Sequence, residues 1–114
     1  MLNVLICSID PAFGRDLRYA IQQKGHNVEV VTRTALAAQM AFVNSYDFVV
    51  MDSGAIGLSA IDAAEVILRA CENTQVIVVG GDRTVAGVIS VSKPLNIEEI
   101  NHIIQGLCEP SLKN

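Results

Sequence analysis

The sequence predicts a single α/β domain: a doubly wound parallel sheet of five strands in the order 2-1-3-4-5, with one crossover helix missing or reduced to a loop. Three observations lead there. Short apolar runs alternate with helix-period segments from Leu2 to Leu107, the pattern of parallel strands joined by right-handed crossovers. Capping signatures mark where helices begin. Only eight residues, Gly80 to Gly87, separate the fourth apolar run from the fifth, whereas a parallel crossover with its helix takes at least about 10–12.

Each element has its own warrant. Leu2 to Cys7 is a short apolar run that reads as a buried strand, and Ser8-Ile9-Asp10-Pro11 then supplies an N-cap and a proline at the first helical position. In that first helix Phe13, Leu17, Ala20 and Ile21 share a face, and Gly25 stands where a left-handed C-terminal cap is needed. Val28 to Val31 is the second strand, with His26 an exposed residue just before it. Thr34 to Asn44 is the second helix and Asp47 to Met51 the third strand. Ser59 with Asp62 opens a third helix running to about Glu72, Gln75 to Val79 is the fourth strand, and Val88 to Val91 the fifth. Asn96 with Glu99 starts the last helix, with a stripe of Ile97, Ile100, Ile103, Ile104 and Leu107. One domain over residues 1–110 with a tail at 111–114 follows.

Composition excludes several functions. A chain of 114 residues, 51% hydrophobic and 18% charged, buries a real core and is not disordered. A net charge of −4 without a Lys/Arg cluster argues against direct nucleic-acid binding. Cys7, Cys71 and Cys108 are odd in number, widely spaced and accompanied by two histidines, which disfavours a zinc site and fits a reducing compartment. The start has no basic stretch, and its apolar run is too short for a signal peptide or a membrane span. The expectation is a cytoplasmic protein with no membrane partner.

In open parallel sheets, chemistry gathers beyond the carboxyl ends of the strands. There stand Ser8, Ile9 and Asp10, then Asp52, Gly80 and Lys93-Pro94. An Asp following Tyr-Asp-Phe-Val-Val-Met and a Lys-Pro after the last strand, at this spacing, resemble the receiver domain of bacterial two-component response regulators, a flavodoxin/CheY-like fold. The resemblance implies Asp52 as phosphoacceptor for a histidine kinase, Lys93 as the phosphate-pairing cation, and Pro94 following a cis bond. It also implies an acidic pair after strand one to help hold Mg²⁺, and a Ser or Thr after strand four as the switch. Here Ser8 and Ile9 stand in place of the acidic pair, and Gly80 stands at the switch position.

Mg²⁺ takes oxygen ligands, typically one or two carboxylates with waters and phosphate, and Ile9 supplies none. Asp10, one residue out of register, is the remaining candidate to hold Mg²⁺ with Asp52, in competition with its role as a helix N-cap. No cofactor beyond a weakened Mg²⁺ site is implied. An Asp52–Lys93 ion pair is expected with or without phosphate.

The chain therefore reads as an atypical receiver domain, not an enzyme, that works as an interaction or dimerisation module with phosphorylation weak or lost. The alternatives are a working phosphoacceptor at Asp52 and, less favoured, a phosphotransferase built on Cys7. The last lacks the glycine-rich loop of N–H donors that a reactive thiolate needs. Loss of the crossover helix after strand four uncovers the flank of the third helix, where nine of thirteen positions from Ala60 to Glu72 are apolar. Ile61, Ala64, Ile67, Leu68 and Cys71 are the expected interaction face for a second copy or another protein. The bland alternative is that residues 80–87 fold over that gap.

Overall fold

A computed structural model describes residues 1–55, 57–81, 83–94 and 96–108, with backbone only at 107 and 108. The element order is β1 (Asn3–Cys7), α1 (Pro11–Gln22), β2 (Asn27–Val31), α2 (Thr34–Val43), β3 (Phe48–Asp52), α3 (Ala60–Ala70), β4 (Gln75–Val79), β5 (Val88–Val91) and α4 (Ile97–Cys108). All five strands are parallel, in the order β2-β1-β3-β4-β5. This is the doubly wound sheet that the alternation of runs predicts, and among the described residues no helix lies between β4 and β5. The expected contribution of Leu107 to the last stripe, and the tail from 111, lie outside the described residues.

The helix starts follow the capping residues. The Asp10 carboxylate accepts the N–H groups of Ala12 and Phe13, both at 3.1 Å, just ahead of Pro11. Ser59 Oγ accepts Asp62 N–H at 3.1 Å and Asn96 Oδ1 accepts Glu99 N–H at 3.0 Å. After α1, Gly25 adopts φ +87°, a conformation that would strain a side-chain-bearing residue. His26 departs from expectation. It is half-buried and precedes β2, and its Nδ1 accepts Leu2 N–H at 3.0 Å. The imidazole thus serves a backbone donor just before β1.

Because side chains alternate across a strand, the sheet divides the core in two. Leu5, Cys7, Val49, Met51, Val76 and Val78 face α2 and α3. Val4, Ile6, Val28, Val50, Ile77 and Val79 face α1 and α4, against Phe13, Leu17, Ile21, Ile100 and Ile104. Alanines at 37, 38, 41, 60, 63 and 64 are buried in the first cluster, which lets the neighbouring α2 and α3 both lie low on the sheet.

The missing helix leaves no hole. Gly81, Val85 and Gly87 lie against the flank of α3. A Cβ on Gly81 would stand 3.1 Å from Ile61 Cδ1 and Val78 Cγ1, and Val85 packs against the same cluster. This overturns the expected interaction face. Ile61, Ala64 and Ile67 are 3%, 0% and 0% exposed, core residues beneath α3, while Leu68 and Cys71 are half-buried against that core. A short connection lies closer to the sheet than a helix could, so Val76 and Val78 are covered at 0% and 1% exposure.

Two truncations separate core from cover. Ile67→Ala should lower the unfolding free energy by about 2–5 kcal/mol, and Val85→Ala, at the half-buried cover, by about 1 kcal/mol, as read from urea midpoints with unchanged slope. Equal losses would contradict this division.

Candidate functional site

The parallel register assembles the site at the carboxyl edge of the sheet. Cys7 pairs with Met51, Asp52 with Val79, and Val79 with Val91. The residues following these strands therefore meet: Ser8, Asp52, Gly80 and, just beyond β5, Lys93, whose bond to Pro94 is cis.

Asp52 lies at the centre, its side chain only 3% exposed. A buried carboxylate needs its lone pairs satisfied. Oδ2 accepts the buried Ser8 hydroxyl at 2.7 Å; Oδ1 accepts Gly54 N–H at 3.0 Å and faces Lys93 Nζ at 3.0 Å. Ser8 Oγ in turn accepts Asp10 N–H at 3.1 Å, so a chain of hydrogen bonds runs from the β1–α1 turn into the carboxylate. Lys93 is 44% exposed, so solvent screens its ion pair, which contributes at most about 1 kcal/mol. Burial alone would raise the Asp52 pKa. Gly54, Ser8 and Lys93 outweigh burial and hold it below the ordinary carboxylate value.

Asp52 and Lys93 are thus brought together as the sequence implies. Asp10 is not drawn in. Its carboxylate is spent on the first turn of α1, and among the described residues no group of three or more His, Cys, Asp or Glu side chains converges on a possible metal position. Ser8 and Ile9 add no carboxylate, and both Asp52 oxygens already have protein partners. This donor set does not fit Mg²⁺, which corrects the expectation that Asp10 and Asp52 share a metal.

Gly80 has φ +76°, and a Cβ there would stand 2.7 Å from Lys93 Cγ and Cε and 2.8 Å from Ser53 Oγ. The glycine is therefore more than a missing hydroxyl, because the Lys93 stem and the Ser53 hydroxyl fill the space a side chain would use. Neither filler was legible from the one-letter pattern, since nothing in it shows where a lysine stem lies.

Cys7 is fully buried among the residues facing α2 and α3. Burial first, and then the nearby Asp52 charge, push its thiol up to about 11. A thiol held protonated inside the core is no nucleophile, which removes the phosphotransferase alternative.

Neither a protein-family model nor a curated protein matches the sequence. Solved structures do. The chain superposes on the receiver domain of Francisella response regulator 1452 with a TM-score of 0.84 at 21% identity, covering 97% of this chain and 99% of that one. A CheY-like receiver domain from Methanospirillum hungatei gives 0.85 at 16% identity, covering 99% and 98%. The fold is that of a receiver domain. A third receiver-fold match, response regulator TrrA from Thermotoga maritima in complex with Mg²⁺ and BeF, gives 0.79 at 20% identity, covering 94% and 99%. In this receiver fold Asp52, Gly80 and Lys93 close the carboxyl edge of the sheet. None of the described helices is long and apolar enough to cross a membrane.

The site generates two predictions. A folded-state pKa below the unfolded one means that Asp52 adds stability above the ordinary carboxylate range, which is lost as pH falls through the lowered value. Asp52→Asn should therefore flatten the acid limb of unfolding free energy against pH; a limb as steep as the wild type's would contradict the network. Iodoacetamide at pH 8 should leave Cys7 unmodified in the native protein and label it once urea unfolds the chain, as read by peptide mass spectrometry.

Proposed function

We propose that this chain is a receiver domain of two-component signalling that acts as a protein-interaction module, with phosphorylation at Asp52 lost or much reduced. One observation carries the reading. The Asp52 carboxylate is engaged on both oxygens by Ser8, Gly54 and Lys93, while the carboxylate of Asp10 is committed to capping α1. Phosphoryl transfer needs the developing charge neutralised, usually by metal, and here the cation present is Lys93. The side-chain-free Gly80, packed under the Lys93 stem, offers no hydroxyl to follow a phosphoryl group.

A working phosphoacceptor is the second reading, and the juxtaposition of Asp52 with Lys93 favours it. The structural neighbour TrrA has been solved with Mg²⁺ and BeF, and also in complex with the histidine kinase ThkA. By analogy of fold, a kinase is one partner class for this chain. Both readings place the chain in signalling rather than in small-molecule catalysis.

Amide chemical shifts distinguish them. Under the interaction-module reading, Mg²⁺ with beryllofluoride at millimolar concentration leaves the resonances of Asp52, Gly80 and Lys93 in place. Saturable shifts that require Mg²⁺ and vanish in Asp52→Asn would establish the phosphoacceptor instead.

A further inference from the structure

Helix α2 contrasts with the rest of the surface. From Thr34 to Val43 it contains no charged residue, and Gln39 is its only polar residue after Thr34. Its inner side, Ala37, Ala38 and Ala41, is buried, yet its outer side is also apolar: Leu36, Phe42 and Val43 are 42%, 52% and 82% exposed. A helix apolar all round needs cover on both sides.

We propose that a second copy of this chain covers it, through an antiparallel two-fold pairing of α2 with its own image, which names the partner and surface for the interaction-module reading on which it rests. Three features fit a self-complementary patch. A charge-free helix can lie on its own copy without like-charge repulsion. The C-terminal end of α2 carries a recess: Phe42 and Val43 line a cavity of about 350 Å³ with Cys71 and with the polar Asn44, Glu72 and Asn73. An antiparallel two-fold pairing brings the N-terminal end of each α2, with Arg33, to the other's recess.

The charges at its margins are also complementary. Arg33 is exposed at the N-terminus of α2, while the exposed Glu72 lines the recess beside the C-terminus. Antiparallel pairing brings each Arg33 to the partner's C-terminal end, where Glu72 and the negative end of the helix dipole both attract a cation. A parallel arrangement would place like ends together. The exposed Gln39 sits near the middle of α2, by the two-fold axis, where two amides can bond to each other.

Sedimentation of the whole chain from micromolar to millimolar concentration tests this. The wild type should pass from monomer to dimer. Leu36→Glu and Val43→Lys, chosen because each charge suits its end of the helix dipole and so spares the fold, should each weaken association by about tenfold or more with unchanged circular dichroism. Arg33→Glu and Glu72→Arg should each weaken it, and the double variant should restore it. A chain that stays monomeric throughout, or a dimer indifferent to Leu36→Glu and Val43→Lys, overturns the proposal. A monomer would assign the α2 face to a different protein. Failure here is separable from failure of the functional reading, because the beryllofluoride shifts report on Asp52 whatever the oligomeric state.

Discussion

The buried carboxylate of Asp52 is the constraint around which the rest of the site is arranged. An ionised group with almost no contact with water must be met by donors from the protein, and here they come from separate stretches of chain: Ser8 after β1, Gly54 after β3 and Lys93 beyond β5. Each loop is therefore held by what the carboxylate requires as well as by its own turn geometry. The parallel register makes this possible, because three strands end at one edge and deliver three loops to one point. A serine in place of an acid here replaces repulsion with a hydrogen bond. The site is satisfied as it stands.

The same economy governs the missing crossover helix. A helix over β4 would stand about 10 Å above the sheet and need side chains to fill the gap. Here instead the backbone at Gly81 comes close to Ile61 and Val78, and Val85 packs against the same core. Gly80 and Gly87 make the corners with φ of +76° and +88°. Gly80 serves both arrangements, since its bare Cα also makes room for the Lys93 stem beside Asp52. Loss of the helix and loss of a side chain at position 80 are thus parts of one local rearrangement.

Much of the fold was legible because its signals are local. Asp10-Pro11, Ser59 and Asn96 mark helix starts through hydrogen bonds within three residues, and the strands are continuous apolar runs because both faces of the sheet are covered. The eight-residue connection declared its missing helix by length alone. What failed to show depended on contacts distant in sequence. The apolar residues of α3 read as an open flank in sequence, whereas Ile61, Ala64 and Ile67 lie in the core beneath the helix and Gly81 and Gly87 approach Ile61 and Leu68. His26 gave no sign of accepting Leu2 N–H, a contact spanning 24 positions. Asp52 and Lys93 were legible by spacing, but the engagement of Ser8 and the commitment of Asp10 to its helix could be read only from their geometry.

One tie joins the carboxylate loop to α2. Thr34, the first residue of that helix and fully buried, donates its hydroxyl to the carbonyl of Leu58 at 2.9 Å, and a Cβ on Gly57 would stand 2.9 Å from Thr34 Oγ1. Gly57 and Leu58 are therefore clamped to the start of α2, with no room at Gly57 for a side chain. Holding this end of the helix therefore also holds the backbone at Gly57 and Leu58. Thr34 is in this sense a local pin: it sets where the first turn of an uncharged helix meets the backbone at Gly57 and Leu58, and leaves Ser8, Gly54 and Lys93 to hold the carboxylate itself.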